Sequence, residues 1–267
     1  MAKIHTFKAG FCTHAACMAV RGAGFAQCEF PAQVFLLEAA GRFWLFDTGY
    51  AHHFLDATAS GLFALYRKVT PVVFNESEAM RLQLREFGVN VADLSGVIVS
   101  HFHGDHIGGL KDFPHMPIIA SGAGWQQVRS LRGVRALLQG FVPAVMPEDT
   151  DQRLLAMEAF ERVALPSDCT PLQAAYVLPH SQGEILLVDL PGHAAGHMGA
   201  LVACDDGWHL LAADAAWSRA NYRDWKLPSP LSYLIMDKSS AFKHTLGQLQ
   251  QLDALGKVSI HLSHEEV

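Results

Sequence analysis

Four short apolar runs along the chain each end in a polar side chain of the kind that binds metals. Gly96-Val97-Ile98-Val99-Ser100 leads into His101, and Glu184–Leu190 leads into Pro191-Gly192-His193. Trp208–Ala213 leads into Asp214, and Lys257–Ser263 leads into His264. Runs of this length, rich in β-branched residues and bounded by turn signals, predict strands buried on both faces. Two further strands, Gln33–Glu38 and Arg42–Asp47, flank Ala39-Ala40-Gly41, which predicts a hairpin turn. Helical spacing covers Glu76–Phe87, with Asn75 or Ser77 as cap and Gly88 as stop, and Ser239–Leu255, stopped by Gly256. The stretch from Trp125 to Phe160 also predicts helix, interrupted by Gly133, Gly140 and Pro143. With no repeat or Pro/Gly/Ser-rich linker, residues 1–267 form a single expected domain of the mixed α/β (α+β) class, sheets covered by helices.

Composition narrows the class. Half of the 267 residues are hydrophobic and 17% are charged, which excludes global disorder. Twenty Lys and Arg against 26 Asp and Glu give a formal charge of −6, the wrong sign for binding nucleic acid by neutralising phosphates. The five cysteines, Cys12, Cys17, Cys28, Cys169 and Cys204, form no Cys-x-x-Cys pair and predict free thiols in a reducing compartment. The first residues lack the apolar core of a signal peptide, and no run is long and apolar enough to span a bilayer. A cytoplasmic protein with no membrane partner is the expectation. The unusual count is histidine, at 15.

The densest chemistry lies in His101-Phe102-His103-Gly104-Asp105-His106. In an extended segment His101 and His103 project to the same side, and Gly104 would allow a sharp turn that brings Asp105 and His106 to a neighbouring position. Three or four protein ligands serve one ion, so four from one loop, in two sets, imply two ions and call for partners elsewhere. His193, Asp214 and His264, each just past a predicted strand, are the candidates. Imidazole and carboxylate without thiolate suit zinc first, and also iron or manganese.

At this point the chain resembles the metallo-β-lactamase-fold hydrolases. The resemblance rests on Asp47-Thr48-Gly49, the His-x-His-x-Asp-His stretch at 101–106, Pro191-Gly192-His193, Asp214 in Ala-Ala-Asp-Ala and His264, in the family's order. It implies a four-layer αββα sandwich with a dinuclear metal site at one edge of the paired sheets. It also implies that His101, His103 and His193 hold one ion, that Asp105, His106 and His264 hold the other, and that Asp214 bridges them. Asp47 would orient a ligand imidazole, and of the two histidines in Pro-Gly-His-Ala-Ala-Gly-His the pattern uses His193, not His197.

Two adjacent dications lower the pKa of a shared water, and the resulting hydroxide can attack a lactone, ester or thioester carbonyl. Asp105 and Asp214 would be the carboxylates closest to that chemistry, Asp105 as a proton carrier. The bridging aspartate argues against antibiotic hydrolysis, and the layout is most like the N-acyl-homoserine lactonases. Where those enzymes commonly carry a tyrosine three residues after the bridging aspartate, this chain has Trp217. Tyr222 and Arg219, nearby in sequence, are further pocket candidates, and Arg219, Arg223 and Lys226 could meet an anionic substrate. Aromatic stretches at 54–74 and 125–146 would form an acyl pocket, ordinary core or a homodimer face. A phosphodiesterase acting on a small substrate is the alternative enzyme, and a metal-binding sensor or scaffold without turnover is the alternative class.

Overall fold

The structure, a computed structural model, describes residues 1–265. Its first half builds one sheet from β1 (Lys3–Ala15), β2 (Gln27–Ala39), β3 (Arg42–Phe46), β4 (Val72–Val73), β5 (Leu94–Ile98), β6 (Ile118–Ala120) and β7 (Leu154–Ala156). The second half builds another from β8 (Arg162–Ala164), β9 (Ala174–Val177), β10 (Ile185–Asp189), β11 (Met198–Cys204), β12 (Gly207–Ala213) and β13 (Val258–Leu262). The strand orders are β4-β1-β2-β3-β5-β6-β7 and β13-β12-β11-β10-β9-β8.

The continuous apolar runs follow from burial on both faces. In β2, Phe35 and Leu37 face the second sheet while Val34 and Leu36 face the outer helical layer. In β12, Leu211 and Ala213 face the first sheet while Leu210 and Ala212 pack with Phe242, Leu246 and Leu249 of the Ser239–Leu255 helix. Three apolar layers therefore separate helices, sheet, sheet and helices, the expected αββα sandwich. Burying a side chain of this size contributes roughly 1.5–3 kcal/mol, so the alternation specifies strand register strongly.

The β2–β3 hairpin turns on Ala40 and Gly41, both at positive φ (48° and 72°), which matches the right-handed twist of the strands. Gly88 and Gly256 close their helices in the left-handed conformation, as expected. Two expectations need correction. The helix assigned to Glu76–Phe87 starts at Met80, after a 3-10 turn at Glu76–Glu78 and an extended Ala79. Trp125–Phe160 is no long helical region. It breaks into helices at Gly122–Val128 and Gly133–Leu138, a 3-10 turn at Pro143–Val145, a helical turn at Thr150–Arg153, β7 and a last 3-10 turn at Met157–Ala159. Gly133 and Gly140 sit at positive φ, and Pro143 has no N–H to continue a helix.

Strand direction places the chemistry. β3 and β5 are parallel, β12 and β13 are parallel, and β10 runs with β12 because each is antiparallel to β11. The C-terminal ends of all five strands therefore meet at one edge of the sandwich. There the sheets are tied by Met198 N–H donating to the Ser100 carbonyl (2.9 Å) and Gln33 N–H donating to the Ser263 carbonyl (3.1 Å).

Candidate metal centre

His101, His103, Asp105 and His106 follow β5, His193 follows β10, Asp214 follows β12 and His264 follows β13. The fold brings all seven together, in two groups. His101, His103, His193 and Asp214 offer donor atoms within 4.8 Å of one another, and Asp105, His106 and His264 do the same. Asp214 joins the groups: its Oδ2 is 3.2 Å from His193 Nε2 and 3.1 Å from His264 Nε2, and its Oδ1 is 3.4 Å from His106 Nε2. All are buried or nearly so.

The loop geometry departs from expectation at Gly104. No sharp turn occurs there; Gly104–Ile107 is a single helical turn with His103 at its N-terminus. The glycine is required for space, since a Cβ at this position would lie 2.5 Å from the Phe54 ring. The helical turn lifts Asp105 and His106 away from His103 and directs them to the second group.

Each imidazole's remaining nitrogen is tied off where a partner is available. Asp47 accepts from His106 Nδ1 (2.7 Å), from Ser100 N–H (2.8 Å) and from the Ser100 hydroxyl (2.8 Å). With its proton so committed, the Ser100 oxygen accepts from His101 Nδ1 at 3.0 Å. The Pro31 carbonyl accepts from His264 Nδ1 at 2.9 Å. These bonds leave the Nε2 atoms of three histidines directed at the shared space, as outer partners of metal-bound histidines do. Asp47 holds this place with φ at 62°, and Ala213, just before Asp214, has φ at 46°. For side chains with a Cβ this conformation costs about 1–3 kcal/mol and persists only where surroundings impose it.

Electrostatics and unmet polar atoms point the same way. Burial, then the neighbouring imidazoles, hold His101 well below the usual histidine range, and burial takes His103 down to about 4. Burial also pulls on His264, but Asp214 and Asp105 outweigh it and hold it up at about 9. The carboxylates thus make a well for positive charge beside neutral imidazoles. Among the described residues, His101 Nε2, His106 Nε2 and Asp214 Oδ1 are buried there without a hydrogen-bond partner. Buried polar atoms are rarely left so. The residues present fit divalent cations, which would satisfy these atoms.

His197 is excluded as a ligand by its own bonds. Its Nδ1 donates to the Leu190 carbonyl (2.9 Å), and its Nε2 accepts from Asp214 N–H (3.2 Å), so both nitrogens are used. It props the backbone of Asp214 instead. Trp217 does reach the site: its indole N–H donates to Asp214 Oδ2 (3.0 Å), and its ring meets His193 edge-on. The other two pocket candidates do not. Tyr222 is 0% exposed in the core beneath the Ser239–Leu255 helix, on the buried face of the Arg219–Arg223 helical turn. Arg219 lies on the other side of that turn, where its backbone N–H and guanidinium meet Glu265. Helical spacing separates them from Trp217's direction. The aromatic stretch near residue 54 is core at Phe54, which packs edge-on against Tyr50 and Tyr66. Sequence reasoning missed Ser100, Pro31 and Gly140, whose backbone lies against the His103 ring. Ser100 adjoins a ligand-type residue and could have been suspected; a carbonyl 233 positions from His264 leaves no local sign.

Residues 29–166 match the Metallo-beta-lactamase superfamily. A probable metallo-hydrolase of Mycobacterium tuberculosis is 28% identical over 192 residues, covering 70% of this chain and 57% of that protein. A metallo-hydrolase of Annulohypoxylon moriforme is 26% identical over 204 residues, 72% of this chain and 50% of its own. The chain thus spans about half the length of these relatives. Among solved structures, an N-acyl homoserine lactone hydrolase with N-hexanoyl-L-homoserine at its catalytic metal centre superposes with a TM-score of 0.73 at 19% identity, over 98% of this chain and 92% of that one. A dizinc quorum-quenching lactonase superposes with a TM-score of 0.67 at 14% identity, over 98% and 87%.

Proposed function

The chain belongs to the metallo-beta-lactamase superfamily, and from that premise we propose that it is a hydrolase of a lactone, ester or thioester that works with two divalent ions, zinc first among them. The observation that carries this reading is the convergence of seven ligand-type side chains with unpartnered buried Nε2 and Oδ1 atoms on one sheet edge. His101, His103 and His193 would hold one ion, Asp105, His106 and His264 the other, and Asp214 would be shared. When bound, the ions supply Lewis acidity and a water of lowered pKa.

The chain's own groups do the rest. Asp47 holds His106 and, through Ser100, His101, so that water attacks from a fixed frame. Asp105 is at the site's edge, with its Oδ2 3.4 Å from His264 and 3.5 Å from His106. It takes the proton released as water adds to the carbonyl carbon and returns it to the leaving oxygen or sulfur, giving a carboxylic acid and an alcohol or thiol. Trp217 can donate to Asp214 but cannot carry a proton, unlike a tyrosine at this place.

A neutral carbonyl substrate fits better than a phosphodiester. The cations following Asp214 are already paired: Arg219 with Glu265, Arg223 with Asp253 and Lys226 with Asp224. Aromatic edges, Phe30 on His264 and Trp217 on His193, flank the donors instead. A panel of acyl-homoserine lactones, aryl esters, thioesters and bis-p-nitrophenyl phosphate tests this. Turnover is expected with carbonyl substrates; hydrolysis of the phosphodiester alone overturns it.

Asp47→Ala tests the frame. It leaves His106 Nδ1 and Ser100 without their acceptor, and zinc affinity is expected to fall about 10–100-fold. Isothermal titration of metal-stripped protein measures this, and unchanged affinity would show that Asp47 only closes its turn.

A further inference from the structure

The far end of the second sheet carries a second set of metal-ligating side chains that the hydrolase reading does not use. β11 ends at Cys204, Asp205-Asp206 makes a tight turn, and β12 begins at Gly207, with Cys204 and Gly207 paired. Cys204, Asp206 and His209 offer donor atoms that lie within 4.8 Å of one another. β12 runs seven residues from this turn before reaching Asp214. At about 3.3 Å per residue the two clusters are some 20 Å apart, so they share no ligand.

The surroundings of His209 are organised around its ring. Its Nε2 is 2.9 Å from Asp206 Oδ1, and its Nδ1 is 2.9 Å from His261 Nε2 of the neighbouring strand β13. The two rings lie nearly parallel, at 19°. His261, half-buried, meets Phe35 of the core edge-on, and its own Nδ1 is buried without a partner among the described residues. Solvent reaches the cluster from one side, since the Asp206 side chain is 75% exposed. Burial, then Asp206 and Asp205, push the Cys204 thiol up to about 11, so a free Cys204 is protonated and a poor nucleophile.

We propose that Cys204, Asp206 and His209 form a third metal site, for a single zinc-like dication, with His261 holding the His209 ring. Thiolate, imidazole and carboxylate are a zinc donor set, and three protein ligands leave a fourth position for water on the exposed side. Binding replaces the thiol proton, which leaves as H⁺, by the ion. At His209 the Nε2 lone pair goes to the ion and the proton sits on Nδ1, donated to His261 Nε2. His261 then carries its single proton on Nδ1. The imidazoles change tautomer without net gain or loss of protons. The outcome is a clip across the β11–β12 hairpin and its neighbour β13, independent of the hydrolase reading because none of these residues belongs to the other centre.

Cobalt(II) is the probe, because a thiolate ligand produces a strong near-ultraviolet charge-transfer band that imidazole and carboxylate ligands do not. Cobalt-saturated protein is expected to show this band and to hold one more ion than Cys204→Ser, which loses the band. His209→Ala is expected to lose it also, whereas His103→Ala, altered only at the other centre, keeps it. Asp206→Ala, on the exposed turn, retains the thiol and should bind cobalt at least about tenfold more weakly, since loss of even an outer partner of a metal ligand costs that much. Absence of the band in saturated wild-type protein overturns the proposal, as does an undiminished band in Cys204→Ser.

Discussion

His103→Ala is expected to abolish hydrolysis while leaving the protein folded. The His103 Nδ1 lies 3.0 Å from His193 Nε2, so the two imidazoles would define one side of the first ion's proposed place. Removing one takes an imidazole from the first ion and leaves His101, His193 and an Asp214 shared with the second, a set that would hold the ion more weakly and out of its catalytic geometry. Lewis-acid stabilisation amounts to several kcal/mol, so a loss of about 10³-fold or more in kcat/KM is expected. The fold should survive because the ring lies in the site, against the backbone of Gly140, and outside the three apolar clusters that hold the layers together. Extensive dialysis against a chelator should reproduce the loss in wild-type protein, and added zinc should reverse it there. Substrate turnover, metal content and far-ultraviolet circular dichroism decide the matter together. Full activity in metal-stripped protein would sink the mechanism.

Gly192→Ala is expected to be among the most destabilising single substitutions in the chain. Gly192 has φ at 125°, a region that L side chains rarely adopt, and an added Cβ would lie 2.0 Å from the backbone nitrogen of Phe242 and 2.3 Å from its Cα. Neither atom can yield without moving the Ser239–Leu255 helix, whose first turn docks on this loop. Lys238 N–H donates to the Gly192 carbonyl (3.0 Å), and Asp237 N–H donates to that of His193 (3.1 Å). Backbone strain and overpacking each cost about 1–3 kcal/mol, so about 4 kcal/mol is expected together. In a domain of this size that corresponds to a fall in Tm of about 10 °C. Gly22→Ala is the control: its φ is also positive, but a Cβ there meets nothing within 4 Å. Strain alone should cost it far less. Equal Tm values for the two variants would show that the contact with Phe242 carries no weight. Because Gly192 adjoins His193, the variant should also bind zinc more weakly at temperatures where it remains folded.

How much of this was legible before the fold follows from the range of the interactions. The strands ending at His101, His193, Asp214 and His264 could be read locally, since burial on both faces leaves an uninterrupted apolar run in the chain itself. The metal-ligating residue types and their order could be read too, and the fold gathers them at one edge through strand direction. Gly88 and Gly256 showed where helices stop for a similarly local reason. Trp125–Phe160 misled because apolar spacing there serves short helical turns packed into the outer layer, and the packing is non-local. Tyr222 and Arg219 misled because nearness to Asp214 in sequence says nothing about direction once a helical turn intervenes.

Residue identity and local periodicity by themselves determined six of the sandwich's thirteen strands, those nearest the site, and the set of side chains able to bind metal. Tertiary structure alone decided which nitrogen of each histidine is free. Asp47, Ser100, Pro31 and Leu190 accept from those rings across separations of up to 233 residues, and only the folded arrangement brings such acceptors within hydrogen-bond reach. It also separated His193 from His197, two imidazoles alike in sequence context, by leaving one facing Asp214's carboxylate and the other bonded beneath its backbone. A hydrogen bond depends on an atom's position and direction in space, and those are properties of the packed sheets.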